Sequence, residues 1–212
     1  MFGRFPAGTV RDLRRFPYDI FTVLLFKVRE CFLRSHLRQT TAAAHAQLDA
    51  IVGSFVSLQD YGRYLQHLLA FREPIETAVL SARPLEKLNF HFHPIASAIR
   101  ADMIDLGLPA SPPRQVDIAQ LAVTDTSELL GTLYVLEGSA LGARVLYKRA
   151  QALGLSAHHG ARHLALQAED RTSWPAFLAI LDAHDPLETE RTAVASAAAF
   201  DLALAAFSES SP

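Results

Sequence analysis

Apolar positions along this chain recur mostly at steps of three and four residues, which is the spacing of one face of an α-helix. The helices that this pattern predicts are 36–52, 58–80, about 94–106, 128–151, one that begins at Ser173 and one that begins at the DPLE sequence of residues 185–188. In that last sequence Asp185 can cap the helix and Pro186 suits its first turn. No segment has a persuasive strand pattern, so the sequence predicts an all-α fold.

The first 34 residues differ in composition from the rest of the 212-residue chain. Arginines precede a short apolar run at 21–26, and Lys27 and Arg29 interrupt it. A run of six residues is too short to span a bilayer, and no small-residue cleavage site follows it. The sequence therefore predicts no membrane span. It indicates an N-terminal appendage at 1–34, either disordered or a peripheral helix, one domain at 35–208 and a tail at 209–212, and it leaves a membrane-surface role open.

Charge and cysteine content narrow the class of protein. The formal net charge is −2 and the pI about 6.5, which gives no basic footprint for nucleic acid. The single cysteine, Cys31, excludes an internal disulfide framework and suits a reducing compartment. We therefore expect a cytoplasmic protein without a nucleic-acid partner.

Candidate chemistry begins with a histidine on the predicted helix 36–52. Arg38, Thr41, His45 and Asp49 follow one another at steps of three and four, so they share a face. Asp49, one turn after His45, can accept the Nδ1 proton, which leaves Nε2 free to bind a metal. A hydrogen-bonded histidine with no metal is the commoner role, and it remains an alternative.

A second feature is a pair of glycines, Gly138 and Gly142, in the predicted helix 128–151. A glycine inside a helix costs roughly 1 kcal/mol relative to alanine. Two of them four residues apart remove the side chains from one face, so another body can approach the backbone. That body is either a neighbouring helix or a flat ligand. Thr126 or Ser127 is the expected cap of this helix.

The other histidines are weaker candidates for a metal ligand than His45. His91 and His93 alternate with phenylalanines and lack a third ligand nearby, so no metal site is expected there. His158, His159 and His163 are predicted to form a solvated patch. The chain contains no phosphate-binding loop, dinucleotide fingerprint, GxSxG sequence or paired-cysteine zinc site. No histidine follows an acidic residue by three positions, which argues against a carboxylate-bridged di-iron bundle.

Two segments resemble one known family. LRQTTAAAHAQLD, residues 37–49, resembles the proximal helix of the heme oxygenases, and YVLEGSALGARVL, residues 134–146, resembles the distal helix of their bacterial biliverdin-forming type, often encoded beside bacteriophytochromes. The resemblance covers roughly residues 35–208. It implies a single-domain helical bundle with heme between the two helices.

The same resemblance implies a role for each matching residue. His45 would be the ligand to heme iron, Asp49 its polar partner, Thr41 a pocket neighbour and Arg38 the partner of a propionate. Phe200 and Phe207, two turns apart on the last helix, would line the pocket. The residues implied on the distal side, where dioxygen is activated, are Gly138, Ser139 and Gly142.

This chain departs from the family's animal members near the first distal glycine. Ser139 stands where they carry an aspartate that organises water, and Val135 stands where they carry an arginine. Their late propionate-binding basic residues fall near Thr172 and Ala176, with Arg171 the nearest substitute. The water network and the seating of heme should therefore differ.

The implied reaction is the oxidative cleavage of heme to biliverdin, carbon monoxide and ferrous iron with dioxygen and external electrons. Because the chain has no flavin or nicotinamide motif, a separate electron donor, such as a ferredoxin or a reductase, is an implied partner. The resemblance also implies a bacteriophytochrome that receives biliverdin. Two other hypotheses remain open. One is a heme carrier or sensor with the same fold that does not degrade heme, and the other is a helical interaction module.

Overall fold

The computed structural model describes residues 20–111 and 116–208, with side chains described from Phe32 onward. The helices are α1 Ile20–Val52, α2 Leu58–Leu80, α3 Ala96–Asp105, α4 Thr126–Gly138, α5 Ala140–Ala152, α6 Arg162–Glu169, α7 Ser173–Asp182 and α8 Thr189–Phe207. Two 3₁₀ turns, Arg83–Lys87 and Pro186–Glu188, lie between helices. Within these ranges the extended pairing consists of isolated bridges from Ser156 to His159 and Gly160. The all-α prediction is confirmed.

Helix α1 is longer than the predicted 36–52, because it begins at Ile20. Leu33 and Leu37 are both buried and lie one turn apart, so the apolar face of the helix continues N-terminal to His36. Arg34 pairs with Asp182 and holds this part of α1 against α7. The predicted boundary after residue 34 thus falls inside a continuous helix. Residues 1–19 and the predicted tail 209–212 lie outside the described residues, so the division into appendage, domain and tail stays a prediction.

The last helix, α8, lies at the centre of the bundle, and α1, α2 and α4 all pack against it. Helices α1 and α8 run in the same direction, because His36 meets Glu190 at 3.2 Å and the ring of His45 lies 5.9 Å from that of Phe200. Since α1 and α4 both rest on α8, a cleft between them has α8 as its base.

Side-chain caps fix where these helices begin. Ser57 caps α2, and its hydroxyl accepts from the backbone N–H of Asp60, at the predicted boundary. Asp185 likewise caps the 3₁₀ turn before α8. The expected cap of α4 was wrong. Asp125 takes that position and accepts from the N–H of Glu128, whereas Ser127 is buried and contacts His184 at 3.1 Å.

The predicted helix over 128–151 is helical on both sides of Ser139, but it is interrupted there and divided into α4 and α5. Among the described helices, Thr126–Ala152 is the stretch with the length and mean hydropathy, 1.3, of a candidate membrane span. Half of its apolar window is buried inside the bundle. Packing against the neighbouring helices accounts for that part of its apolar character.

His163 is fully buried, so its assignment to a solvated patch was wrong. Its Nδ1 lies 2.8 Å from Oδ2 of Asp102 on α3, a residue 61 positions earlier in the sequence. Asp102 also accepts from the backbone N–H groups of Arg162 and His163 and from the guanidinium of Arg162. A buried carboxylate is stable only when it is paired in this way. Helix α3 therefore holds the start of α6 through Asp102, and its Asp105 also pairs with Arg162.

Burial makes the stability of the protein dependent on pH through His163. Desolvation lowers the pKa of His163 in the folded chain, although the nearby Asp102 opposes the shift. Below the ordinary histidine pKa of about 6.5 the unfolded chain binds a proton that the folded chain does not. The free energy of unfolding should therefore fall as pH decreases from 6.5 toward the lowered pKa, by at most about 1.4 kcal/mol per pH unit.

Urea denaturation at several pH values between 5 and 7.5 measures this slope. In a His163→Met variant the slope should be smaller than in the wild-type protein, because the group that gains the proton on unfolding is gone. An identical slope in both proteins would contradict the assignment.

Candidate functional site

The candidate site begins on α1 with an exposed histidine beside a carboxylate. The side chains of His45 and Asp49 are 63% and 71% exposed, and Nδ1 of His45 lies 3.0 Å from Oδ2 of Asp49. Among the described residues Nε2 of His45 has no hydrogen-bond partner. This geometry is what a ligand-binding imidazole needs, because the carboxylate orients the ring and leaves one nitrogen free.

The other predicted residues on α1 take different environments. Thr41 is buried, and its hydroxyl donates to the carbonyl of Leu37 at 2.8 Å, so it is occupied within its own helix. Arg38 is exposed at the N-terminal side of the same face. Its positive charge opposes the rise that burial gives to the pKa of Tyr134 on α4, which places Arg38 near that hydroxyl.

The two aromatic residues of α8 that were predicted to line the pocket lie in different parts of the structure. Phe200 packs beside His45, with ring centroids 5.9 Å apart. Phe207 lies two turns further along and packs against Tyr64 and His67 of α2. It lines a cavity of about 620 Å³ where α1 and α8 end. The structure therefore brings Phe200 to the candidate site, and Phe207 lies at the far end of the same helix.

Of the two predicted glycines, Gly142 faces open space and Gly138 faces the ring of Trp174. A Cβ added to Gly142 would meet nothing within 4 Å, and one added to Gly138 would meet only the ring of Trp174, at 3.8 Å. The alternative of tight helix packing thus fails for these two residues. It holds instead for Gly131, which the sequence analysis did not single out, and whose added Cβ would lie 2.3 Å from the carbonyl oxygen of Thr192 on α8.

The glycine face is directed toward α1. Tyr134 lies one turn before Gly138 and is close to Arg38 of α1. Arg149 lies two turns after Gly142 and donates to the carbonyl of Gly53, at the end of α1, over 2.9 Å. Residues at steps of four and seven share a helix face. The part of α4 and α5 that contains the two glycines therefore lies between Tyr134 and Arg149, which both reach α1. On α1, His45 lies between Arg38 and Gly53, the residues that they reach.

Ser139 lies at the break between α4 and α5. Its hydroxyl donates to the carbonyl of Leu136 at 2.7 Å and accepts from the guanidinium of Arg72 at 3.2 Å. Arg72 comes from α2 and is 2% exposed. The sequence analysis missed it, although an arginine within the apolar face of a predicted core helix was the available clue.

The described residues contain no group of three or more histidine, cysteine, aspartate or glutamate side chains that could hold a metal ion. A site with one protein ligand suits a metal whose other ligands come from a bound ring, as the four pyrrole nitrogens of heme do. The exposed His45, the open backbone at Gly142 and the aromatic Phe200 fit such a flat group. Of the other histidines, His91 and His93 are exposed, and their ring centroids lie 4.5 Å apart.

Comparisons with known proteins identify relatives of this chain. A family model described as Heme oxygenase matches residues 108–209. The chain is 36% identical over 176 residues to the heme oxygenase PigA of Pseudomonas aeruginosa, with 78% of this chain and 86% of that protein covered. The crystal structure of the NO- and CO-bound heme oxygenase of Neisseria meningitidis matches with a TM-score of 0.67 and 28% identity, over 82% of this chain and 92% of that one. This chain belongs to the heme oxygenase family.

Proposed function

We propose that this heme oxygenase binds its substrate heme in the cleft between α1 and the α4–α5 pair, with Nε2 of His45 on the iron. The reaction is the cleavage of heme to biliverdin, carbon monoxide and ferrous iron with dioxygen and external electrons. The observation that carries the assignment is the open space over Gly142. A bare backbone there faces α1, on which His45 presents an unpartnered nitrogen.

Each residue of the cleft has a role that follows from its position. Asp49 orients the imidazole, Phe200 packs beside it and Arg38 offers a positive charge for a propionate at the rim. Heme itself supplies an iron that binds and activates dioxygen. Gly138 and Gly142 leave room for the small ligand, and Ser139 carries a hydroxyl at the break between the two helices. Thr41 contributes through packing, because its hydroxyl is already bonded.

The partners follow from the chemistry. The sequence has no flavin or nicotinamide motif, so a ferredoxin or a reductase must supply the electrons. An acidic donor would complement a basic surface near the rim that carries Arg38. Biliverdin is the chromophore precursor that the resemblance to bacteriophytochrome-associated enzymes implies, so a bacteriophytochrome is the proposed recipient. With its single cysteine and external reductant, the protein is proposed to act in the cytoplasm.

A heme carrier or sensor that does not degrade heme is the second candidate. It is favoured by Val135, which is buried and apolar where animal members have an arginine. It is also favoured by Ser139, whose only proton is donated to a backbone carbonyl.

Spectroscopy of the purified protein mixed with hemin separates these functions. Ascorbate or a ferredoxin system is added in air with catalase present. Loss of the Soret band with a broad rise toward the red identifies an oxygenase. A Soret band that survives reduction in air identifies a carrier or sensor, and an absence of heme binding would exclude both.

A bulky residue at Gly142 should block the cleft without unfolding the protein. Because an added side chain meets open space there, a Gly142→Phe variant should keep the wild-type free energy of unfolding to within about 1 kcal/mol. Heme affinity and turnover should each fall at least about tenfold, since a ring would occupy the space of the ligand. Gln151→Phe is the matched control, because it lies on the opposite, exposed side of α5. Unchanged heme binding by Gly142→Phe would contradict the assignment of this face.

A further inference from the structure

Helix α7 connects the two walls of the cleft, because it contacts both α1 and α4. At its start, the hydroxyl of Ser173 donates to Oε2 of Glu137 on α4 at 2.9 Å. Toward its end, the guanidinium of Arg34 on α1 donates to the carbonyl of Leu178 and pairs with Asp182. The helix therefore crosses from α4 to α1.

The crossing lies at the end of the cleft that carries Arg38. On α1, Arg34 precedes Arg38 by one helical turn, so α7 meets α1 close to that residue. On α4, Glu137 is the neighbour of Gly138 and lies within one turn of Tyr134, the residue close to Arg38. The start of α7 therefore lies where the first distal glycine meets this end of the cleft.

Trp174, the single tryptophan of the chain, is the second residue of α7. Its Cη2 and Cζ3 atoms would lie 3.8 Å from a Cβ added to Gly138. Its ring centroid is 5.8 Å from that of Tyr134, with an angle of 49° between the rings. Tyr134 and Gly138 are one turn apart on α4, so they share a face. Trp174 therefore packs on the face of α4 that reaches toward Arg38.

The position of the Trp174 ring is fixed from behind. Its centroid is also 5.8 Å from that of Phe177, which is fully buried and packs edge to face against Phe90. Trp174 itself is only partly buried. A large aromatic ring held by its neighbours and partly open is suited to contact a flat ligand, because it offers a wide surface and loses little side-chain freedom on binding.

The other residues in the first turn of α7 cannot replace this ring. Ser173 is engaged by Glu137, and Pro175 and Ala176 are exposed, small and uncharged. None of these side chains can fix a propionate by charge. A contact between heme and the start of α7 is therefore made through the indole ring.

We propose that Trp174 is the end wall of the heme cleft and contacts the edge of the bound porphyrin beside Gly138. Together with Tyr134 it limits how far heme can rotate about its bond to His45. The meso carbon nearest the open backbone at Gly142 depends on that rotation, so Trp174 is a specificity-determining residue that helps to select the biliverdin isomer. This role rests on the proposed function.

Fluorine NMR of protein labelled with fluorotryptophan tests the contact without turnover. Because the chain contains one tryptophan, the labelled protein has one fluorine resonance. Gallium protoporphyrin is the probe, since it has the flat ring of heme, is diamagnetic and does not activate dioxygen. Its ring current should shift the resonance by at least about 0.5 ppm if the two aromatic systems are in contact. The Soret absorption of the porphyrin measures binding separately.

The outcomes separate this proposal from the proposed function. Porphyrin that binds without moving the fluorine resonance would overturn the role of Trp174 and leave the proposed function in place. Porphyrin that does not bind would overturn both. The Gly142→Phe variant is the control for binding outside the cleft, because its affinity should be at least about tenfold weaker. An identical titration in that variant and in the wild-type protein would also overturn both.

Truncation of the ring should change the product distribution. In Trp174→Ala the end wall is removed, so the ratio of the major to the minor biliverdin isomers should fall at least about threefold. Trp174→Phe keeps an aromatic ring at this position and should keep a ratio close to that of the wild-type protein. Chromatography of the products after turnover measures the ratio. An unchanged ratio in Trp174→Ala would overturn the assignment of specificity.

Phe90→Ala is the matched control, because Phe90 packs against Phe177 and its removal loosens the same aromatic cluster while Trp174 stays in place. This variant should be less stable than the wild-type protein and should form the same isomers in the same ratio. A change in ratio as large as that of Trp174→Ala would show that loosening of the cluster selects the product, which would overturn the proposal. If Trp174→Ala fails to fold, the fluorine measurement on the wild-type chain still decides the contact.

Discussion

A His45→Ala protein should still fold but should lose the normal axial ligation of heme iron and nearly all turnover. The side chain is 63% exposed, so its removal leaves no cavity in the core. Removing a residue that only supports a metal ligand costs about 10- to 100-fold in metal affinity or activity. Loss of the ligand itself should therefore reduce turnover by at least about 100-fold. Absorption and resonance Raman spectra of the ferric complex measure the ligation, and biliverdin formation measures turnover.

The controls for this experiment are the other histidines. His91→Ala and His93→Ala should leave the heme spectrum and the turnover unchanged, because these side chains are exposed on the segment between α2 and α3. Added imidazole should restore part of the ligation in His45→Ala by occupying the vacated position. A native heme spectrum in His45→Ala without imidazole would show that another residue binds the iron.

The sequence predicted the relative positions of the α1 residues, because they are related by local spacing. His45 and Asp49 are one turn apart, so a helix alone brings them within 3.0 Å of each other. Gly138 and Gly142 are also four residues apart, but the break at Ser139 places them in two helices, α4 and α5. Helical periodicity is enough to predict relationships within one helix.

Relationships between distant helices were not accessible in this way. The pairing of His163 with Asp102 joins residues 61 positions apart, and the contact of Arg72 with Ser139 joins residues 67 positions apart. No local pattern indicates which helix faces which. The break at Ser139 combines a local bond, from Ser139 to Leu136, with a long-range bond from Arg72 that no local pattern indicates.

Exposed apolar residues also show the limit of periodicity. Leu141 and Val145 are apolar residues of α5, yet they are 62% and 55% exposed. Both neighbour Gly142 on the part of α5 where an added Cβ meets open space. A ligand that occupies the cleft would cover apolar surface beside the glycines. Periodicity predicted the apolar face correctly, but it does not distinguish a face covered by another helix from one left for a ligand.

Gly131 gives the sharpest stability prediction, because it is where α4 and α8 approach most closely. An alanine Cβ there would lie 2.3 Å from the carbonyl oxygen of Thr192, 2.7 Å from the Cβ of Ala195 and 2.9 Å from the backbone nitrogen of Ser196. Two of these three atoms belong to the backbone of α8, so relief requires the whole helix to move. Overpacking of a core typically costs about 1 to 3 kcal/mol, and occasionally more.

Gly131→Ala should therefore lower the free energy of unfolding by about 1 to 3 kcal/mol, even though alanine favours a helix by roughly 1 kcal/mol over glycine. Gly142→Ala is the matched control. Its Cβ meets nothing within 4 Å, so the same substitution should leave stability unchanged or raise it by up to about 1 kcal/mol. Urea denaturation of the two variants beside the wild-type protein measures both changes.

A second-site substitution distinguishes backbone contact from side-chain contact at this crossing. Ala195→Gly removes one of the three close atoms and leaves the backbone carbonyl of Thr192 in place. Combined with Gly131→Ala, it should restore only part of the lost stability, because the closest contact remains. Full restoration would mean that the side chain of Ala195 alone sets the separation of α4 and α8. A Gly131→Ala protein as stable as the wild type would show that the helices are further apart than this, and the base of the heme cleft would have to be redrawn.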